Sequence, residues 1–174
     1  MKGLTRVLCG LAVLCLSGPV LAEGTEYRVA VIRVDAPRPM PISRADLPPR
    51  DLGFAGADLG TADNSTTGAF VGQSFVTEDI VVSPETAEAE LQRVLDSGVT
   101  YIVTLADAAM TVKLADLAGD RALVFNALAT DDVLRGKDCR ANLLHVAPSD
   151  AMLTDALAQY LALKRWDDVV MIEG

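Results

Sequence analysis

The stretch Thr100–Ala127, TYIVTLADAAMTVKLADLAGDRALVFNA, decides the fold. Its two ends, Tyr101–Val103 and Ala122–Phe125, are short apolar runs rich in β-branched and aromatic residues, which read as strands. Between them Met110, Leu114 and Leu117 recur four and three residues apart, the spacing of one helix face. Asp107 is placed to cap that helix and Gly119 to stop it. Strand, helix and strand at this length make a βαβ unit with parallel strands and a right-handed crossover. In an open parallel sheet, ligands sit beyond the carboxyl ends of the strands. That rule selects the loop after each strand, and within them Ala106, Asp107 and Ala108, then Asn126, Ala127 and Leu128, as the candidate ligand-binding residues.

Working outward, Arg28–Val34 (RVAVIRV) is β-branched enough to be the first strand and a central one. Asp35–Arg50 holds Pro37, Pro39, Pro41, Pro48 and Pro49, which excludes a regular helix or central strand there. Leu52–Asn64 reads as a helix carrying Gly53, Gly56 and Gly60. Those glycines do not form a phosphate-binding pattern and are expected to serve close helix packing. Ala69–Val82 holds a second strand with a bend at Thr77–Asp79. Ser83-Pro84-Glu85 then supplies an N-cap, a first-turn proline and an early acid. The following helix buries Ala87, Leu91, Val94 and Leu95 and ends at Gly98. After the central unit, Thr130-Asp131-Asp132 caps a short helix or turn that ends at Gly136. Leu143–Val146 is a strand, and Ser149 caps a helix with Leu153, Leu157, Tyr160, Leu161 and Lys164 along one side. Val169–Ile172 opens a further strand. The alternation implies an α/β fold, an open and mostly parallel sheet with helices on both faces.

At the other end of the chain, Lys2 and Arg6 precede the apolar run Val7–Leu16, and Gly18-Pro19 and Val20-Leu21-Ala22 follow it. This is the layout of a cleavable secretory signal, too short to span a bilayer, so Met1–Ala22 is expected to be removed on export to the periplasm. Taking Lys2 and Arg6 from the 15 basic residues leaves 13 against 24 acidic ones, which moves the net charge from −9 to −11. So acidic a chain is not built to neutralise phosphates, and nucleic-acid binding is excluded. Cys139 is then the lone cysteine of the mature chain. No spacing of His, Cys, Asp or Glu suggests a metal site, and no cofactor is implied.

From Asn142 the sequence NLLHVAPSDAMLTDALAQYLALKRWDDVVMIEG resembles the crossover between lobes in type I periplasmic solute-binding proteins of ABC transporters, the branched-chain amino-acid-binding group. Upstream, ADLGTADNSTTGAFVGQSF (Ala57–Phe75) and ALVFNALATDDVLRGKDC (Ala122–Cys139) resemble a subfamily found with PQQ-dependent alcohol oxidation. The resemblance runs from about Tyr27 to Gly174. It implies residues 23–147 as an N-terminal lobe, and 148–174 as the crossover, first helix and first strand of an incomplete second lobe. The chain is accordingly expected to be a fragment. It also implies a substrate-binding component that passes a small-molecule ligand to an ABC permease in the inner membrane, without enzymatic activity. A second reading is a periplasmic sensor or accessory protein of a PQQ-dependent dehydrogenase. Where the broader group holds amino acids with small hydroxyl residues, this sequence has Ala106-Asp107-Ala108 and Asn126-Ala127-Leu128, which leaves the ligand class open.

Several residues carry two readings. Asp107 is either a ligand contact or a helix cap. Asn126 is either a cleft donor and acceptor or a turn residue closing its strand. His145 reads as a structural strand-end histidine. Cys139 with His145 as nucleophile and base is the one catalytic pairing the residues offer, and a weak one.

Overall fold

Ten residues, Thr25–Val34, form β1, whose alternate side chains serve two different cores. Ala30 and Ile32 face one side and Val29 and Val31 the other. A strand buried on both faces belongs inside a sheet, and β1 lies inside this one. In the computed structural model, which describes residues 24–37, 41–43, 47–170 and 172, five strands run in the order β2-β1-β3-β4-β5. They are β1, β2 (Gln73–Val82), β3 (Tyr101–Leu105), β4 (Leu123–Asn126) and β5 (Leu143–His145). All four pairings are parallel. The expected α/β architecture with helices on both faces is the one observed. The expected signal segment, Met1–Ala22, lies outside the described residues.

One face carries α2 (Ala87–Asp96) and α3 (Ala108–Ala118). Leu91, Val94 and Leu114 are wholly buried there against Ile32, Ile102 and Val124. Each such side chain contributes about 1.5–3 kcal/mol by leaving water. The other face carries α1 (Phe54–Gly68), which seats Phe54 and Ala57 on Val31, Val103 and Leu105. It covers the β2-β1-β3 part of the sheet, with Thr61 Oγ1 hydrogen-bonded to Thr77 Oγ1 of β2, and beyond it Leu123 and Leu144 stay exposed. The start of α1 is tied to the end of β1 by Arg33. Its Nη1 donates to the carbonyls of Arg50 and Leu52 at 2.8 and 3.3 Å, its Nε donates to Asp35 Oδ1 at 3.0 Å, and its guanidinium lies 4.8 Å from the Phe54 ring centroid.

The structure corrects four local expectations. Thr77–Asp79 is not a bend: β2 pairs residue for residue with β1 along its whole length, so the ladder holds it straight. The helix after β2 does not start on Ser83. Residues 84–86 form turns first, and its N-cap is Thr86, whose hydroxyl accepts from the Ser83 amide. Of the three glycines assigned to close packing, only Gly53 is in tight contact, since nothing lies within 4 Å of a Cβ built at Gly56 or Gly60. Finally, Val169, Val170 and Ile172 are not in a strand, and Met171 lies outside the described residues. A strand needs a neighbour for its backbone groups, and no described strand lies beside them.

The helix α4 (Asp150–Lys164) forms as read, with Ser149 Oγ accepting from the Met152 amide at 3.3 Å. None of its residues is buried, and Leu153, Leu157, Tyr160 and Leu163 are exposed. A helix apolar on several sides and covered on none drives self-association. Ending the chain at Asp150 keeps the buried Ser149 and the bond from the Asp150 amide to the Thr130 carbonyl. The shortened chain is expected to remain monomeric at concentrations where residues 24–174 associate. Sedimentation velocity on the two forms checks this; equal association would place the sticky surface elsewhere.

Candidate functional site

Strand order sets the site. β2 and β3 lie on opposite sides of β1, so the connections leaving β1 and β3 diverge and open a crevice at their carboxyl ends. A cleft of about 290 Å³ occupies that position. This approaches the small end of ligand sites, about 300–1,000 Å³. Val34 bounds it at the end of β1 and Ala36 just beyond, Ala106 and Asp107 after β3, and Leu128 and Asp131 after β4.

Asp107 follows β3 with extended backbone (φ −66°, ψ 171°) and caps α3, its Oδ1 accepting from the Met110 amide at 2.8 Å. The carboxylate is exposed and also borders the cleft, so both readings of this residue fit one geometry. Its Oδ2 takes no hydrogen bond from the described residues. With Asp131 also lining the cleft and no Lys or Arg doing so, the side chains favour a neutral or cationic ligand group. Removing the cap in Asp107→Ala is expected to cost about 1 kcal/mol in denaturant unfolding. Asp107→Asn retains an acceptor for Met110 and should leave stability within about 0.5 kcal/mol. A loss of ligand affinity in Asp107→Asn then reads the carboxylate, its charge together with its second acceptor oxygen, apart from the cap.

Asn126 is wholly buried and closes the end of β4. Its Oδ1 accepts from the amides of Leu128 and Ala129 at 3.2 and 2.9 Å, and its Nδ2 donates to the Ala129 carbonyl at 2.7 Å. The side chain shapes the loop and does not line the cleft. Ala127 turns to the α1 side and packs beside Val31, Phe54 and Leu105. Ala108 is the half-exposed first residue of α3. Of the six expected site residues, the fold therefore brings Ala106, Asp107 and Leu128 together on the cleft wall. Asn126, Ala127 and Ala108 stand behind it.

Pro84, Thr130 and Asp131 also line the cleft and were read from sequence only as helix-start or capping residues. All three follow carboxyl ends of strands, and the signal that finds them is the strand order. Cys139 is exposed, and His145 bonds to Asn126, not to Cys139, so the nucleophile–base pairing is not assembled. Among the described residues no three His, Cys, Asp or Glu side chains converge.

No family model matches this sequence. No curated protein matches it. Among solved structures, an ABC transporter substrate-binding protein from Desulfitobacterium hafniense is similar at a TM-score of 0.58 and 20% identity, over 80% of this chain. The chain spans 39% of the length of that protein. Identity this low carries the architecture and not the ligand: the chain has the fold of part of a substrate-binding protein.

Proposed function

We propose that this chain is part of an exported substrate-binding component of an ABC transporter, supplying the first lobe of a two-lobed binder. Residues 23–147 form that lobe, and the segment from Pro148 through α4 starts the second. Ligand binds between the lobes, and contacts from both sides stabilise closure. The observation that carries this reading is the cleft at the carboxyl ends of β1, β3 and β4. It lies beside the Thr130–Asp150 bond, where the chain departs for a helix with no buried residue. A second lobe over that helix would close the cleft and cover its apolar side chains together. Release to a permease then follows reopening, with no bond chemistry in the cycle.

Ala106, Asp107, Leu128, Thr130 and Asp131 are the contacts this half contributes. The association with PQQ-dependent alcohol oxidation rests on the sequence resemblance and supplies the first ligands to try. The test is calorimetric titration of the full-length native protein with short alcohols, their acids, amino acids and PQQ. Saturable binding without consumption of ligand supports the reading, and no response across the panel overturns it.

A further inference from the structure

We infer that His145 is a positioning residue whose neutral ring holds the cleft loop Asn126–Thr130 and the crossover into α4 in register, and whose protonation loosens both. The hydrogen bonds around Asn126 force this assignment. The amides of Leu128 and Ala129 fix which end of its side chain is oxygen, and one Nδ2 hydrogen goes to the Ala129 carbonyl. The other points at His145 Nδ1, 3.2 Å away. An amide nitrogen can only donate, so Nδ1 must accept through its lone pair, and the neutral ring carries its proton on Nε2.

The same joint gathers the chain's exit from the lobe. The amides of Val146 and Ala147 donate to the Asn126 carbonyl at 3.0 and 3.3 Å, and that of Asp150 to the Thr130 carbonyl at 2.9 Å. Arg135, from the short helix Asp132–Arg135, donates through Nη2 to the Ala147 carbonyl at 2.5 Å. Its Nη1 is buried with no acceptor among the described residues. A proton on Nδ1 would set donor against donor at Asn126 and add a second cation beside Arg135. Neutral polar groups face the ring from Asn126 and Leu134, and Arg135 is the charged group acting on it. Asp131, Asp132 and Asp150 on the adjoining segments are exposed. Burial, then Arg135, hold the His145 pKa below the ordinary histidine value, against a hydrogen bond to the Leu134 backbone. A lowered value means that the stability from the neutral ring is fully present above the unfolded histidine pKa. It is lost as pH falls through the folded one.

That the loop serves a ligand rests on the function proposed above; the hydrogen bonds do not, so the test is made without ligand. His145 is the single histidine of the chain, and its ring resonances titrate without overlap. In the full-length protein, exchange of the Leu128 and Ala129 amides is followed by NMR from about pH 7.5 downward until the ring resonances have titrated, corrected for intrinsic rates. It is expected to rise about tenfold relative to the Ile102 amide, with a midpoint that tracks the ring. His145→Asn places an Oδ1 acceptor where Nδ1 stood and should keep exchange flat over the same range. His145→Ala should exchange fast throughout. Protection that stays unchanged while the wild-type ring titrates overturns the inference, as does a pH response that persists in His145→Asn. The wild-type measurement decides the question even where the alanine variant does not fold. Neither result bears on whether the cleft binds anything.

Discussion

Asn126→Leu is expected to destabilise the chain by about 3 kcal/mol. Leucine fills much of the buried space but offers no polar atom. The amides of Leu128 and Ala129 lose their acceptor, and the Ala129 carbonyl and His145 Nδ1 lose their donor. Stranding a buried donor or acceptor costs about 1–3 kcal/mol, and some of these groups will recover water at the loop surface. The damage should concentrate where those bonds were, with amide protection lost from Ala127 to Thr130 and kept in β1 and β3. Denaturant unfolding with amide exchange on the same variant checks both parts. A loss under about 1 kcal/mol would mean that the loop re-forms its bonds without the side chain, and that Asn126 is not what shapes the cleft.

That residue also shows how far the sequence could be read. The turn role of Asn126 is a local property: a short polar side chain at a strand end bonds the backbone that follows it. The caps of Asp107 and Ser149 are legible for the same reason, and both are made as read. The βαβ unit was legible because its apolar spacing switches period within one short stretch. What local pattern does not encode is which strand lies beside which. Once β3 is known to lie on the far side of β1 from β2, the crevice between their ends follows, and with it Val34, Ala36 and Pro84 as wall residues. The direction of Ala127 was hidden too. A residue one step past a strand can face either side of the sheet, and packing on Val31 and Leu105 decides it. The missed start of α2 and the absence of strand at Val169, Val170 and Ile172 share one cause. Propensity proposes an element, but turn geometry or a pairing neighbour determines whether it forms.

The glycines of the α1 segment give the second large effect, and its sign reverses within one helix. Gly53→Ala is expected to cost about 3 kcal/mol, whereas Gly56→Ala and Gly60→Ala should each stabilise by roughly 0.5–1 kcal/mol. Gly53 has φ +85° and ψ −37°, a backbone that side chains rarely adopt, at a cost of about 1–3 kcal/mol. Its Cβ would also overlap Cδ1 of Leu105, which is buried against Val31 and Phe54, so the methyl group must displace a packed side chain. That adds an overpacking term of about 1–3 kcal/mol. Because Leu105 ends the strand that leads to Ala106 and Asp107, the disturbance should reach the cleft wall as well as the core. Gly56 and Gly60 have ordinary helical backbone and open space where a Cβ would go. Gly60 borders a gap of about 220 Å³ between α1 and the sheet, which a methyl group would begin to fill. Alanine there removes unfolded-state freedom and meets nothing. Denaturant midpoints for the three single variants test the argument. Three stabilising shifts would show that α1 responds to helix propensity alone, and that the approach of Gly53 to Leu105 does not constrain the fold.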